Sequence, residues 1–328
     1  MKLHPIWNDY PTVKKELIDT LALMEKTVKI KNKSVEKAVL EMIHSGGKLL
    51  RPAYQLLFSQ FGPEQDRQKA IALSASIEML HNATLIHDDI VDQADIRRNL
   101  PTIAAEFGND VAVYAGDYLF VCCFKLMADY ASSLRSLQIN SRSMDKILSG
   151  ELGQMDDRYA MDMSIDQYIE NISGKTAELF ALSCSVGALE SGTTEKFAKN
   201  AAEIGLNIGI AFQIIDDILD YSQEESHIGK PVLEDVRQGV YSLPLLYALQ
   251  DGRRQLEPLL TKKDAMTDAD TQAVYQYVQQ FQGVQKAQEL AEKYTNKALR
   301  AIQKLPETPQ QTKQLLEKLT REILARTN

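Results

Sequence analysis

Two runs of aspartates carry the strongest chemical signal in the chain. His87-Asp88-Asp89-Ile90-Val91-Asp92 and Gln213-Ile214-Ile215-Asp216-Asp217-Ile218-Leu219-Asp220 share the pattern Asp-Asp-x-x-Asp. On a helix, at about 100° per residue, the first and last carboxylates of each run fall about 40° apart on one face, one turn apart. Like charges at that spacing destabilise a helix by about 0.2–0.5 kcal/mol per pair, so a cation is expected beside each run. The bland reading of a single acidic cluster is a solvated helix face. Here both runs are set among apolar neighbours, Leu85, Ile86, Ile90 and Val91 in one and Ile214, Ile215, Ile218 and Leu219 in the other. Charged groups at the edge of a core are paired or bind metal, because burial without a partner is costly.

Carboxylates without nearby cysteine suit a hard cation. A sparse set that leaves room for phosphate oxygens and water suits Mg²⁺ better than a full protein cage for Ca²⁺. The spacing is not that of an EF-hand loop, which needs alternating oxygens and a turn glycine. A metal only partly held by protein implies a phosphorylated substrate, and the remaining sequence supplies cations for one. Gly46-Gly47-Lys48-Leu49-Leu50-Arg51-Pro52 sets Lys48 and Arg51 three apart at the opening of a helix, a place suited to an anion. It is a poor Walker A loop, since Met42 stands at its first glycine and Leu49 replaces its hydroxyl residue. Arg97 and Arg98 follow the first acidic run and are expected to diverge from a helix end, each toward its own anion. Lys175 and Lys230 each follow a glycine, and lone lysines have little specificity. His81 and His87 read as structural groups on a helix as readily as ligands. His44 with His87-Asp88 also fits the metal set of an HD-type phosphohydrolase, a reading that leaves the second acidic run idle.

The elements that must position these groups read as helices. No proline occurs between Pro101 and Pro231, a stretch rich in Ala, Leu, Ile, Met and Glu. Val13, Leu17, Leu21, Met24 and Val28 recur at three or four residues, as do Val274, Val278, Phe281, Val284 and, after a gap, Leu290. Ser34 is placed to cap a helix that Gly46-Gly47 stops, and the Gln-rich run Gln272 to Gln288 reads as one amphipathic helix. The soft connections fall at Gln223–His227 and Thr261–Asp270. Strand alternation is hard to find, and no linker or composition break divides the chain, so the expectation is one all-α domain over residues 1–328.

Composition bounds the rest. With 37 Lys+Arg against 45 Asp+Glu in 328 residues, the net charge is -8, which argues against a nucleic-acid partner. Hydrophobic residues at 44% and charged residues at 25% suit a globular chain with a large core. Three cysteines, two of them neighbours, point to a reducing compartment rather than a disulfide framework. The N-terminal segment lacks a signal-peptide h-region, and no window approaches 18 uncharged apolar residues. A cytoplasmic protein without a transmembrane segment is expected.

In combination, Gly46 to Pro52, Asp88 to Asp92 with Arg97-Arg98, Gly174-Lys175-Thr176, Phe212 to Asp220, and Gly229-Lys230 through Asp235 to Pro244 resemble the trans-isoprenyl (polyprenyl) diphosphate synthases, bacterial long-chain catalytic subunits in particular. The resemblance implies a single-domain isoprenoid-synthase-type helical bundle around a central cavity, with the two acidic runs facing across it. It implies that Asp88, Asp89, Asp92, Asp216, Asp217 and Asp220 hold Mg²⁺ directly or through water. It assigns Arg97, Lys175 and Lys230 to an allylic diphosphate, and Lys48, Arg51, His81 and Arg98 to isopentenyl diphosphate. The backbone of Lys175 and Thr176 and the Gln213 side-chain oxygen would face the allylic cation. Asn99, Val232 and Ser242 depart from the family's usual glycine, glycine and threonine, and asparagine tolerates the positive φ that a turn at position 99 needs.

Small residues at Ala83 and Thr84, a turn before Asp88, replace the bulky aromatic that closes the tunnel early in the family. They imply a product beyond C20, in the range C30 to C40, with Phe124 as a candidate deeper floor. Such enzymes are homodimers, or heterodimers with a small partner subunit, and release of so apolar a product implies transient membrane contact. Val121, Cys122, Cys123, Phe124 and Leu126 fit core and subunit interface equally well. Rival readings are a class I terpene cyclase, the HD-type phosphohydrolase and a non-catalytic subunit of a heteromeric synthase.

Overall fold

The computed structural model describes residues 3–45, 47–221 and 233–325, with Glu234 as backbone only. The described chain is all-α apart from one short hairpin. Its helices are α1 Pro11–Thr27, α2 Lys33–His44, α3 Leu50–Phe58, α4 Arg67–Val91, α5 Ile103–Phe107, α6 Asn109–Tyr130, α7 Leu134–Asp156, α8 Ile165–Ile172, α9 Glu178–Glu190 and α10 Glu195–Asp220. After these come α11 Glu234–Arg237, α12 Leu243–Leu260, α13 Asp268–Gln280, α14 Gly283–Gln303 and α15 Thr312–Leu324. A π-helical turn, Ser173–Ala177, joins α8 to α9. The chain divides into two compact units, one of Met1–Ser141, Leu182–Ala202 and Pro306–Leu316, the other of Arg142–Ala181, Glu203–Leu305 and Glu317–Asn328.

In the first unit the expected α1 stripe is the buried one: Val13, Leu17, Leu21, Met24 and Val28 are each at most 5% exposed. The helix after it is capped by Asn32 rather than Ser34, its side chain accepting from the amides of Ser34 and Val35. Both residues can cap, and Asn32 captures two orphan amides from outside the first turn. Against α4 lies α6, and the crossing is tight at Gly116. A side-chain carbon there would stand 2.3 Å from His87 Nε2, so the imidazole occupies the space that glycine leaves. By length and mean hydropathy of 1.5, α6 qualifies as a membrane-crossing helix. Ala112, Ala115, Leu119, Cys122, Cys123 and Leu126 are nevertheless buried, as a core helix requires.

The ambiguous stretch of α6 therefore divides by face. Cys122, Cys123 and Leu126 are core, whereas Val121 is 53% and Phe124 45% exposed. Within this unit Phe124 is thus no enclosed tunnel floor. The three cysteines are free and buried.

In the second unit, α7 and the π turn meet through two glycines: a side-chain carbon on Gly150 would lie 3.0 Å from the Gly174 Cα. The Gln-rich run is not one helix. It breaks at Gln282, which takes a left-handed φ of 57° between α13 and α14. A polar residue in that conformation leaves no signature in the apolar spacing, since Val274, Val278 and Ala287 are buried on either side of the break. The expected soft connection before α13 is ended by a capping box, Thr267 with Asp270. The other, Gln223–His227, lies outside the described residues.

Candidate active site

Each aspartate run closes a long helix at its C-terminal end. Asp88 and Asp89 lie in the last turn of α4 and Asp92 is its C-cap, its amide donating to the Asp88 carbonyl at 2.8 Å. Asp216, Asp217 and Asp220 form the last turn of α10. Aspartate belongs at the positive N-terminal end of a helix, where the macrodipole favours it by about 0.3–1 kcal/mol. Three carboxylates at the negative end oppose both the dipole and one another. Among the described residues no three His, Cys, Asp or Glu side chains gather into a ready-made metal cluster. The donor set is all oxygen and sparse, and it fits a hard divalent ion whose remaining ligands are phosphate oxygens and water.

In the first unit the chain after Asp92 does not leave as a helix end. Ile96–Arg97 and Leu100–Pro101 form a two-stranded antiparallel hairpin, β1 and β2, pairing Ile96 with Pro101 and Arg97 with Leu100. Its two turn residues, Arg98 and Asn99, have φ of 51° and 63°. Positive φ at both is the mirror-image turn that a two-residue hairpin requires, and asparagine serves where glycine is usual. The turn separates the two arginines. Arg97 Nε donates to Asp89 Oδ1 at 2.6 Å, whereas Arg98 reaches toward α2, its Nη1 3.4 Å from Ser45 Oγ. The Arg98 guanidinium also passes over Gly47, where a side-chain carbon would stand 2.9 Å from Nη1.

Asp89, 3% exposed, has its pKa raised by burial, with Arg97 working the other way. Arg51, in the first turn of α3, places Nη1 3.2 Å from His81 Nε2. Burial, then the charges of Arg51, Arg98 and Arg97, hold the His81 pKa well below the usual imidazole range. The imidazole is neutral and accepts from Arg51, so it orients that cation instead of adding charge. Lys48 lies just before α3 and its carbonyl accepts from the Trp7 indole at 2.9 Å, which anchors the segment entering the helix. Sequence reasoning missed Glu78, one turn before His81. It is 6% exposed, its pKa raised by burial against the pull of Arg51 and Arg98.

His87 and His44 do not form an HD-type metal set. His87 packs on α6, 3.3 Å from the Val113 carbonyl and 3.5 Å from Asp117, while His44 lies 3.5 Å from Glu25.

In the second unit the π turn brings its residues against α7 and α10. Lys175 Nζ sits 2.9 Å from Gln154 Oε1 and 3.0 Å from a Glu151 oxygen. Thr176 Oγ1 donates to Gln213 Oε1 at 2.8 Å, and Gln213 Nε2 donates to Asp217 Oδ1 at 2.8 Å. The Tyr168 hydroxyl, from α8, donates to the other Asp217 oxygen at 2.5 Å. Tyr168, Gln154 and Glu151 carry no spacing or motif that would mark them in the sequence. Lys230 lies outside the described residues.

Burial, the larger effect, pushes the Asp217 carboxyl up to about 7, against the lowering by its hydrogen bonds from Tyr168 and Gln213. Asp220 is raised to about 6, first by desolvation and then by the charges of Asp235 and Asp216. Because these folded-state values lie above the carboxylate's ordinary 3.8, the metal-free chain holds extra protons. The associated stability is present below pH 3.8 and is lost as pH rises through about 6 to 7. A divalent ion that displaces those protons should restore it. The expected result is a Mg²⁺-induced rise in Tm that is larger at pH 8 than at pH 5.5, with proton release on binding seen as buffer-dependent calorimetric heat. Equal Tm shifts at both pH values would remove Asp216 and Asp220 from the metal site.

The polyprenyl synthetase family model matches residues 32–278. Heptaprenyl diphosphate synthase component 2 of Geobacillus stearothermophilus is 35% identical over 284 residues, 86% of this chain and 88% of that protein. The crystal structure of geranylgeranyl pyrophosphate synthase from Lactobacillus brevis superposes with a TM-score of 0.94 at 42% identity, covering 98% of this chain and 99% of that one. A polyprenyl synthase from Caulobacter crescentus, complexed with calcium and isoprenyl diphosphate, superposes with a TM-score of 0.88 at 29% identity, covering 97% of each chain.

Proposed function

The chain belongs to the polyprenyl synthetase family, and from that premise we propose that it joins isopentenyl diphosphate to an allylic diphosphate, using its aspartate runs to hold Mg²⁺ against the leaving diphosphate. It is a prenyltransferase acting on isoprenyl diphosphates with divalent metal. The observation that carries the proposed site is the placement of both Asp-Asp-x-x-Asp runs in the closing turns of helices, where the helix dipole opposes their charge and a cation offsets it.

The roles divide by environment. Asp88, Asp92, Asp216 and Asp220, the more open members of each run, are the metal ligands we propose. Bound Mg²⁺ would neutralise charge on the departing diphosphate. Asp89 steadies Arg97 on its hairpin, where Arg97 takes the allylic diphosphate together with Lys175 and Lys230. Arg51, oriented by neutral His81, takes isopentenyl diphosphate with Lys48 and Arg98. The allylic carbon–oxygen bond breaks and its electron pair leaves on the diphosphate. The isopentenyl double bond then attacks the allylic cation, and the proton lost in forming the new double bond goes to the released diphosphate. Fixed Lys and Arg donors stabilise the leaving group at little cost in reorganisation.

For product length we propose C30 to C40, supported by the small Ala83 and Thr84 before Asp88. Of the named relatives, the heptaprenyl synthase component falls within this range by its name and the geranylgeranyl synthase falls below it. For quaternary structure we propose that the exposed Val113, Tyr114, Val121 and Phe124 of α6 meet a second subunit, either another copy or a small dissimilar chain. The compartment we propose is the cytoplasm. Incubation of the purified chain with Mg²⁺, farnesyl diphosphate and labelled isopentenyl diphosphate should give labelled products longer than C20. No incorporation, alone or with a partner subunit from the same cell, would overturn the assignment, and a product ending at C20 would overturn the chain length.

A further inference from the structure

In the second unit a chain of hydrogen bonds runs from Thr176 through Gln213 to one carboxylate, Asp217, which Tyr168 meets from the other side. Thr176 Oγ1 gives its proton to Gln213 Oε1, and Gln213 Nε2 gives one to Asp217 Oδ1. Tyr168, 4% exposed, gives its proton to Asp217 Oδ2. Both Asp217 oxygens are thereby held by protein donors, and while Asp217 is ionised the Gln213 amide keeps its NH₂ toward the carboxylate. An amide flipped end for end would set its carbonyl against a carboxylate and its NH₂ against a hydroxyl that then has to turn. At the far end, the Thr176 hydroxyl has spent its hydrogen on Gln213 and keeps its lone pairs for whatever lies beyond.

This polarity matters for a reaction through an allylic cation. A cation is stabilised by oxygen lone pairs and repelled by N–H and O–H hydrogens. The side chains of Thr176 and Gln213 contain both kinds of group, so their orientation decides whether they help or hinder. We infer that Tyr168 is a positioning residue for prenyl transfer: by clamping Asp217, it fixes the direction of the chain Thr176–Gln213–Asp217 so that oxygens rather than hydrogens meet the allylic cation. Within the second aspartate run Asp217 is then the reference point of this chain, and Asp216 and Asp220 are left to the metal. The inference rests on the prenyl-transfer reading and extends it to a residue that no motif marks.

Burial of the Tyr168 phenol, with the Asp217 charge beside it, holds its pKa well above the usual range, so the hydroxyl stays a donor throughout the working pH. The packing supports the same picture. Thr176 is fixed by the π turn, whose Ser173 hydroxyl donates to the Ile169 carbonyl at 2.6 Å, and Tyr168 is fixed by α8, which begins with a Ser164–Gln167 capping box. The donor and the far acceptor are thus carried on one short, well-capped segment, while Gln213 and Asp217 lie one turn apart on α10.

The test is Tyr168→Phe, which removes one oxygen and keeps the ring. The wild type should elongate farnesyl diphosphate. The variant should lose about 10- to 100-fold in kcat, with KM for isopentenyl diphosphate and the calorimetric affinity for inorganic pyrophosphate plus Mg²⁺ both within about twofold of wild type. Combined with Thr176→Val, the two losses should fall well short of multiplying, because both break one chain. If Tyr168→Phe has no cooperative unfolding transition, Asp217→Asn carries the test, since asparagine keeps one acceptor where two are needed, and the same split between kcat and pyrophosphate affinity is expected. Wild-type elongation with an unimpaired variant would overturn this inference alone, as would a loss of pyrophosphate affinity as large as the loss in kcat. A wild type that does not elongate any allylic diphosphate would overturn the prenyl-transfer reading beneath it.

Discussion

Asp88→Ala and Asp216→Ala should each lower kcat for isopentenyl transfer by about 10³-fold or more while leaving the fold intact and no less stable. A thousandfold is about 4 kcal/mol of lost transition-state stabilisation, the scale of removing a metal's hold on a leaving group. Stability should move the other way. Each carboxylate sits in the final turn of its helix, at the negative end of the dipole and beside like charges, so its removal relieves repulsion of a few tenths of a kcal/mol up to about 1 kcal/mol. The paired readout is kcat from labelled isopentenyl diphosphate and Tm without metal. Near-wild-type activity in either variant, or a Tm loss of many degrees, would mean that the aspartates serve the fold.

The second large effect concerns product length. Thr84 precedes Asp88 by four residues, about 6 Å down the same face of α4, and is half-buried. Thr84→Phe should put a ring across the path of the growing chain and shift the main product to C20 or shorter, with the rate of the first condensation within about tenfold of wild type. Ala83 is different, being fully buried on the face of α4 that also carries His87 toward α6. Ala83→Phe should also shorten the product, but with a stability cost of about 1–3 kcal/mol from overpacking between two helices. Radiochemical sizing of products, with thermal unfolding of both variants, separates the two effects. Unchanged product length in active Thr84→Phe and Ala83→Phe enzymes would refute the tunnel.

The helices and the aspartate runs are legible in the sequence because both depend on spacing that a helix converts directly into geometry. The α1 stripe is the buried one, and each Asp-Asp-x-x-Asp lies on a helix, as expected. Spacing does not show that the runs close their helices, a placement that adds the dipole to the electrostatic argument. The Arg97–Arg98 pair leaves from a hairpin instead of the expected helix end, since strands of two residues are too short for an alternating pattern to register. Asn99 is the available clue, and its positive φ is the one the turn uses. Gln282 breaks its helix although the apolar period runs through the break, and the adjacent Gly283 is the one compositional clue. The Tyr168 and Glu78 contacts join residues far apart in sequence or pointing into a core, and no local pattern encodes them.

The most direct test of the metal-holding role of both aspartate runs is the binding of Mn²⁺, in place of Mg²⁺, followed by electron paramagnetic resonance with and without inorganic pyrophosphate. The wild type should bind Mn²⁺ weakly alone and at least about tenfold more tightly with pyrophosphate, and that gain should vanish in both Asp88→Ala and Asp216→Ala. Undiminished pyrophosphate-dependent Mn²⁺ binding in either variant would contradict the account.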